Sequence, residues 1–432
     1  MYQKFKHDPQ LLAEYKAFIS KIILNGDAEV IPPGDLSKEQ DCWYIPHFGV
    51  YHPKKPGNTR VVFDVNAKCG GVSLNDHLLQ GPDLMNSLLG GLLRFRRERF
   101  AIACDIQQMF HQFKVHPEDR DYLRFLWYDK SGRPVDYRMT VHIFGAVSSP
   151  GCAPYGLQHI AQTEQNVTSA ASLQASQFIQ RDFYVDDGLI SVPNTEEGIS
   201  VIKQAVAICK KGSLRLHKFA ANVLRAIPET EHAELSPSFD FSTGSVPIQR
   251  ALGVEWIIEN DSFKFRIEMK DQQWTRSVLA TVAPIFNPLG LVTLLVLAGK
   301  QILQQMRRDV MSWDDPLPKS LPARWERWRH DVQDLQDLKV SRCLIPVDFG
   351  AVESQDLHHF SDASDTGYGQ FSFSRSVNQS GCVYCALTCA KARVIPKKGV
   401  ITLRAELQAA VLSAKIARCL KEMGLQEMKE CL

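Results

Sequence analysis

Two adjacent carboxylates, Asp186 and Asp187, stand between two apolar runs in the stretch from Gln177 to Pro193. Gly188 follows them, and an Asp-Asp-Gly segment between β-type runs predicts a hairpin whose tip presents the carboxylates. A tight turn can bring both acids to one spot, where they repel each other unless a cation lies between them. An ordinary polar turn has the same composition. The prediction of a Mg²⁺ site therefore depends on a third carboxylate elsewhere.

The third carboxylate is Asp105, which follows the continuous apolar run at residues 100–104. That run predicts a buried strand. An ionised carboxylate at the end of a buried strand is costly unless a metal or a partner stabilises it. We therefore interpret Asp105, Asp186 and Asp187 as one candidate metal site.

Two basic segments indicate contacts with phosphate groups. The β-type runs at 43–51 and 60–64 flank a loop that carries Lys54 and Lys55, which predicts a hairpin with a basic tip. These lysines would bind a triphosphate, or they would only protect a solvated loop from aggregation. Residues 199–226 contain no acidic residue but six Lys or Arg side chains. Because the formal net charge of the chain is only +2, a nucleic-acid partner is inferred from this local distribution.

Composition is that of a globular chain with room for two or three domains, since 44% of its 432 residues are hydrophobic. The eleven cysteines are irregularly spaced and form no zinc-binding pattern, so we expect reduced thiols in an intracellular protein. The most apolar window, at residues 289–297, is too short to span a bilayer. We therefore expect no membrane partner.

The order of these features resembles the palm of a reverse transcriptase. The chain as a whole, from about residue 10 to the end, resembles the polymerase region of Pao/BEL long-terminal-repeat retrotransposons. The stretches that carry this resemblance are YIPHFGVYHPKKPGNTRVVFDVNAK, ACDIQQMFHQF, FGAVSSP, FYVDD, LGVEW, SVLATVAPIFNPLGL and HHFSDASDTGYG.

The resemblance implies an α+β right-hand polymerase with fingers, palm and thumb, followed by a truncated α/β RNase H-like domain. It implies an N-terminal helical lead-in at 1–40, fingers and palm at 41–260, a thumb or connection at 261–350, and the RNase H-like domain at 351–432. Trp313, Trp325 and Trp328 lie among arginines in the third region. They belong to a thumb by resemblance, or to the core of a helical linker.

Catalytic roles follow from the same resemblance. Asp105, Asp186 and Asp187 would bind two Mg²⁺ ions, with Mn²⁺ as a substitute, and support addition of dNTPs to a primer 3′-hydroxyl. Lys218 would protonate the leaving pyrophosphate.

Substrate contacts are also implied by the resemblance. Phe110 matches the aromatic gate that excludes a ribonucleotide 2′-hydroxyl, and Tyr184 would lie beside the primer terminus. Arg60 would contact the triphosphate together with Lys54 or Lys55, between which the spacing does not decide.

The small-residue loop from Phe144 to Pro150 would let a base pair approach the backbone at Gly145. Many reverse transcriptases place Gln at the position of Phe144, and a glutamine contact to the sugar is therefore not expected here. The stretch Leu252–Trp256 resembles the primer grip.

The C-terminal region resembles the front half of an RNase H fold, with Asp362 and Glu406 as its first two metal ligands. A strand is predicted at residues 400–403, before the helix that carries Glu406. The inward side chains of that helix are predicted to be Leu407, Ala410, Val411, Ala414 and Ala417. The fold's next Asp has no counterpart before Leu432. We therefore expect this chain to lack RNase H activity, and release of fragments from an RNA:DNA hybrid would overturn that expectation.

Three functions compete. The leading one is an RNA-directed DNA polymerase of a retrotransposon, which works on an RNA template, a DNA primer and their RNA:DNA hybrid, in the cytoplasm within a retroelement particle. The second is a catalytically dead nucleic-acid-binding relic of a decayed retroelement. The third is a template-directed RNA polymerase, which would not need the aromatic gate at Phe110. No oligomeric state is predicted.

Overall fold

The structure is a computed structural model that describes residues 5, 8–32, 34, 42–51, 59–129, 131–163, 169–223, 227, 238–240, 252–267, 281–282, 285–308, 321–396, 402–423 and 429–431. The helices are α1 (Pro9–Leu24), α2 (Leu88–Phe95), α3 (Ser149–Thr163), α4 (Ala170–Arg181), α5 (Thr195–Lys211), α6 (Thr293–Arg308), α7 (Pro322–Asp334) and α8 (Thr402–Glu422). The strands are β1 (Ala28–Val30), β2 (His47–Tyr51), β3 (Thr59–Phe63), β4 (Phe100–Ile106), β5 (Arg124–Tyr128), β6 (Pro134–Met139), β7 (Phe183–Tyr184), β8 (Asp187–Val192), β9 (Leu216–Ala221), β10 (Ser238–Asp240), β11 (Leu252–Ile257), β12 (Ser262–Ile267), β13 (Lys339–Ser341), β14 (Val352–Ala363), β15 (Gly367–Asn378), β16 (Val383–Val394) and β17 (Lys429–Cys431).

The chain divides into two compact units, of which the first comprises Met1–Met85, Ile106–Asn166 and Ala207–Arg215. It contains an antiparallel sheet with strand order β1-β6-β5 and the antiparallel hairpin β2-β3. The hairpin confirms the sequence prediction for this segment, although its tip lies outside the described residues. The core of this unit includes a group of aromatic residues, among them Tyr15, Phe63, Phe125, Trp127 and Tyr137.

Helix α1 begins at a side-chain cap. Asp8 caps the helix, because its carboxylate accepts a hydrogen bond from the Leu11 N–H at 2.9 Å. Pro9 occupies the first turn, where no N–H is needed. The buried residues Tyr15, Ile19 and Ile22 repeat every three to four positions. This spacing places them on the helix face that joins the aromatic core.

A buried carboxylate in the first unit is held by two arginines. Asp121, which is 6% exposed, accepts hydrogen bonds from Arg124 and Arg138 at 3.0 Å each. Burial raises the pKa of Asp121, but the hydrogen bonds from the arginines outweigh it and leave the pKa below its ordinary value.

The second unit comprises Asn86–Asp105, Val167–Val206 and Leu216–Leu432. It contains sheets with strand orders β7-β8-β4-β9, β10-β11-β12-β13 and β16-β15-β14-β17. Residues Ala101–Cys104 of β4 are at most 1% exposed, which confirms the predicted buried strand. One apolar cluster joins this strand to Trp256 of β11 and Leu357 of β14. The carboxylate-bearing strand is thus anchored in an extensive apolar core of its unit.

Arg342 is the main polar anchor of the second unit. Its guanidinium is fully buried and donates to both carboxylate oxygens of Asp261, at 2.6 and 2.8 Å. It also donates to the backbone carbonyls of Phe95, Glu98 and Arg99, just before β4. A buried guanidinium with this many acceptors is fully satisfied. Arg342 therefore fixes the start of β4.

No helix in the described part of the chain is both long enough and apolar enough to cross a membrane.

Candidate active site

Two of the three predicted carboxylates face each other on neighbouring strands. Asp105 lies within β4 rather than after it, and Asp187 is the first residue of β8. The antiparallel register pairs these two residues directly. Directly paired residues have Cβ atoms about 4.5–5.5 Å apart, and like charges in such a pair are destabilising. The fold thus concentrates negative charge at one point of the sheet.

The hairpin turn lies one residue earlier than the sequence predicted. Tyr184 of β7 pairs with Asp187 of β8, so the two turn residues are Val185 and Asp186. Asp186 therefore lies at the tip, whereas Asp187 already belongs to the strand and reaches the face that Asp105 shares. Asp186 thus directly precedes the carboxylate that is paired with Asp105.

Gly188 is a strand residue, not the turn glycine that was predicted. It pairs with Phe183, and a Cβ at this position would lie 2.6 Å from the Cζ atom of the Phe183 ring. The glycine is required because the aromatic ring of β7 covers the β8 backbone.

Val185 adopts a backbone conformation that is unusual for its residue type. Its φ is +58°, and Asp186 is not among the residues with positive φ. A positive φ at only the first of two central residues is the type II′ pattern, which normally takes glycine at that position. A β-branched residue there is strained by about 1–3 kcal/mol. Such strain is concentrated at functional sites, which adds to the case for a site at this turn.

Asp105 also has two basic neighbours on β9, the strand on its other side. Lys218 Nζ lies 2.6 Å from Asp105 Oδ2, and His217 Nε2 lies 3.2 Å from Asp105 Oδ1. Consecutive strand residues normally point to opposite faces. Lys218 has a φ of +50°, which breaks the alternation and lets both side chains reach the same carboxylate.

The basic neighbours keep Asp105 ionised. Burial raises the pKa of Asp105, but the hydrogen bonds and positive charge of His217 and Lys218 outweigh it and leave the pKa below its ordinary value. An ionised carboxylate is the form that binds a cation.

Sequence reasoning did not single out His217. Its contact with Asp105 depends on the left-handed backbone of Lys218, which no local sequence pattern indicates.

The donor set of this cluster fits a magnesium site. Carboxylate oxygens are the ligands that Mg²⁺ takes from proteins, usually from one or two side chains together with substrate phosphates. Asp105, Asp186 and Asp187 could hold such an ion, and a cation would relieve the repulsion between the paired carboxylates. Tyr184, which was predicted to lie beside the primer terminus, is half-buried and pairs with Asp187 across the hairpin.

The first unit contains a second group of predicted residues. Phe110 is 5% exposed and makes an edge-to-face contact with Phe144, with ring centroids 4.6 Å apart. The Arg60 guanidinium lies over the Phe144 ring, 4.8 Å from its centroid. Gly145 follows with a φ of +95°, a conformation that favours glycine. The predicted gate, the predicted triphosphate arginine and the small-residue loop are thus neighbours in one cluster.

Lys54 and Lys55 lie outside the described residues, as does Trp313.

A family model of the Pao retrotransposon-like RNaseH-like domain matches residues 275–431. This region is therefore similar to the Pao retrotransposon family, and we call residues 275–431 the Pao-type domain. The resemblance to Pao/BEL retrotransposons that the sequence predicted is confirmed. Comparison with curated proteins gave no match.

Among solved structures, the whole chain is similar to foamy viral protease-reverse transcriptases. One match, a dRH form in complex with double-stranded DNA, has a TM-score of 0.58 and 13% identity and covers 96% of this chain and 61% of that one. The protein in complex with double-stranded DNA has a TM-score of 0.57 and 13% identity, covering 96% of this chain and 73% of that one. The complex with an RNA/DNA hybrid has a TM-score of 0.55 and 12% identity, and the match covers 93% of this chain and 45% of that one. The fold is therefore that of a retroviral-type reverse transcriptase, and the chain spans 45–73% of the length of these relatives.

The Pao-type domain contains the two predicted RNase H-like ligands. Asp362 lies near the end of β14 and is exposed, and Glu406 lies in the first turns of α8 and is half-buried. Helix α8 packs against β14 and β15. Strand β17 then pairs with β14 in parallel. This β-α-β connection is the strand and helix order expected for the front of an RNase H-like fold.

Two predictions for α8 are wrong. The helix begins at Thr402, so residues 402 and 403 are not a strand, and residues 400–401 lie outside the described part. Of the side chains predicted to face inward, only Ala417 is buried; Leu407, Ala410, Val411 and Ala414 are exposed. The buried face instead carries mostly small residues, namely Ala405, Ala409, Leu412, Ser413, Ala417 and Leu420. Small side chains let α8 approach the sheet closely, and this requirement outweighs the hydrophobicity of Leu407 and Val411.

The tryptophans of the Pao-type domain that the structure describes are core residues. Trp325 and Trp328 are 2% and 3% exposed and stack with centroids 5.0 Å apart. Trp328 Nε1 donates to the Leu295 carbonyl at 2.8 Å. Both residues therefore hold α7 against α6 within one apolar cluster.

Trp256, in the stretch that resembles the primer grip, is likewise fully buried and donates to Asp261 at 2.9 Å.

Proposed function

We propose that this chain is the RNA-directed DNA polymerase of a Pao/BEL-type retrotransposon. It would add dNTPs to a DNA primer annealed to an RNA template, in a reaction that needs two divalent metal ions. The observation that carries the proposal is the direct pairing of Asp105 with Asp187, next to Asp186 at a strained turn.

Each carboxylate has a distinct structural origin in this proposal. Asp105 is fixed by the buried strand β4, and Asp187 by its pairing with that strand. Asp186 is presented by the turn. When bound, Mg²⁺ would lower the pKa of the primer hydroxyl and neutralise charge on the triphosphate. The three carboxylates would orient the primer end and the triphosphate through these ions.

Basic and aromatic residues would handle the nucleotide. Arg60 would bind triphosphate oxygens, and Phe110 would exclude a 2′-hydroxyl. Lys218 would donate a proton to pyrophosphate once it leaves Asp105, and its half-exposed side chain allows that movement. The similar foamy viral proteins were solved with double-stranded DNA and an RNA/DNA hybrid, which supports nucleic-acid partners of this kind.

Primer extension tests the proposal. A DNA primer annealed to a homopolymer RNA template is incubated with the complementary dNTP and Mg²⁺ or Mn²⁺, using the parent and an Asp186→Asn/Asp187→Asn double variant. The proposal predicts extension by the parent alone. Equal extension by both proteins would contradict the roles of these carboxylates. No extension by the parent, with salt-sensitive binding to the hybrid intact, would favour the non-catalytic relic.

A further inference from the structure

Phe144 is the centre of a three-residue cluster in the first unit. Phe110 contacts it edge to face at an interplanar angle of 85°, and Arg60 lies over its ring. Aromatic rings attract cations through their faces and other rings through face-to-edge contacts. Phe144 therefore has separate surfaces for its two neighbours and touches both at once.

The loop that carries Phe144 is held by Asn75. The Asn75 side chain donates to the Gly145 carbonyl at 2.9 Å and accepts from the Val147 N–H at 3.0 Å. Gly145 has a φ of +95°, which fixes the direction of the chain after Phe144. A loop tied at Gly145 and Val147 gives the preceding Phe144 ring a defined position.

We propose that Phe144 is a specificity-determining positioning residue of the nucleotide site. Its ring holds the Phe110 ring where it can exclude a ribose 2′-hydroxyl and holds the Arg60 guanidinium where it can meet triphosphate oxygens. This inference rests on the proposed polymerase function, because it assigns the sugar selectivity and the triphosphate contact to one shared support.

Only a flat ring can play this part. A leucine fills similar space but has no electron-rich ring face to attract a guanidinium. A glutamine has an amide that forms hydrogen bonds and cannot pack edge to face against the Phe110 ring. The substitution Phe144→Leu therefore removes both interactions while the position stays apolar. Phe144→Tyr keeps the ring and serves as the conservative variant.

The first test compares dNTP and rNTP incorporation by the parent and the Phe144 variants on the same primed template. Loss of the cation–π contact corresponds to about a two- to fivefold rise in KM for dNTP, with kcat nearly unchanged. Loss of the ring pair corresponds to about a two- to tenfold fall in the preference for dNTP over rNTP. Phe144→Tyr is expected to behave like the parent. An unchanged KM and an unchanged dNTP preference in Phe144→Leu would overturn the inference.

A matched control separates positioning from general destabilisation. Phe125 is fully buried in the same unit and makes a similar edge-to-face contact with Phe63, with centroids 5.2 Å apart. Phe125→Leu is expected to lower the melting temperature without changing the preference for dNTP. A loss of preference in this control as large as in Phe144→Leu would reduce the effect to a structural one and overturn the proposal.

A second measurement does not depend on turnover. Melting temperatures of Arg60→Met, Phe144→Leu and the double variant form a cycle, in which contact predicts non-additive changes. The same proteins are then bound to a primer–template that ends in a dideoxynucleotide, and the stabilisation by dNTP is compared with that by rNTP. The inference is supported, even if primer extension fails, by two results together. The melting-temperature changes of Arg60→Met and Phe144→Leu are non-additive, and the stabilisation by dNTP exceeds that by rNTP by less in Phe144→Leu than in the parent. Additive changes, or a parent stabilised equally by both nucleotides, overturn it.

Discussion

The ion pair between Lys218 and Asp105 predicts that a lysine competes with divalent metal for the same carboxylate. The Lys218 ammonium lies 2.6 Å from Asp105 Oδ2, in the position of a counter-ion. The substitution Lys218→Met removes this charge and keeps an unbranched apolar side chain of similar length. Because the competing cation is gone, Asp105 in the variant should bind divalent metal more tightly.

The size of this effect follows from the exposure of the two partners. The Lys218 side chain is 58% exposed, whereas that of Asp105 is only 19% exposed. Exposed ion pairs contribute about 0.2–1 kcal/mol, and the buried partner places this pair near the upper end. A net contribution of about 1 kcal/mol corresponds to about a fivefold change in the dissociation constant.

Calorimetric titration with Mn²⁺, in the absence of nucleic acid, measures this change directly. Lys203→Met is the matched control. Lys203 is an exposed lysine of α5, and its replacement changes the net charge of the protein by the same amount as Lys218→Met. We expect about fivefold tighter binding in Lys218→Met and little change in Lys203→Met. Equal or weaker binding in Lys218→Met than in the control would refute the competition.

Three further predictions concern stability. Arg342→Met leaves the Asp261 carboxylate without its buried partner, so it should lower the free energy of unfolding by about 3–5 kcal/mol. Urea denaturation measures this change. A change below about 1 kcal/mol would contradict the role of Arg342 in holding β4. Gly188→Ala should lower the free energy of unfolding by about 1–3 kcal/mol, because the added Cβ has no space beside the Phe183 ring. Gly91→Ala is the control and should lower it little, because its Cβ meets no atom within 4 Å. Equal melting temperatures of the two variants would contradict the contact. The pKa of Asp121 is lower in the folded than in the unfolded chain, so its contribution to stability should be complete above the unfolded pKa of 3.8. This contribution should be lost as the pH falls through the lower pKa of the folded chain. Asp121→Asn should abolish that part of the acid transition when the free energy of unfolding is measured against pH.

Local patterns predicted the carboxylate-bearing elements well. The apolar run before Asp105 is long and continuous, and such a run is nearly always buried. The structure confirms the strand and the hairpin because each depends on residues close in sequence. Asp105 and Asp187 meet because their strands pair, which the order of motifs suggested but composition alone did not.

Features that depend on tertiary packing were not predictable in this way. The turn moved by one residue because the Phe183 ring needs the space above Gly188, a requirement invisible in an Asp-Asp-Gly motif. The contact of His217 with Asp105 depends on the left-handed backbone of Lys218. The buried face of α8 was misassigned because close packing selected small residues over leucine and valine. In each case, side-chain packing or backbone conformation in the folded chain outweighed the local sequence pattern.

The most direct test of the central claim is the rate of single-nucleotide incorporation by Asp105→Asn on a primed RNA template with Mg²⁺. The substitution keeps the shape of the side chain and removes the charge that would bind metal. Glu118→Gln is the control, since Glu118 is 87% exposed and its ion pair is with the exposed His116. We predict a loss of at least about a hundredfold in Asp105→Asn and a parental rate in the control. A parental rate in Asp105→Asn would contradict a metal-dependent polymerase centred on this carboxylate.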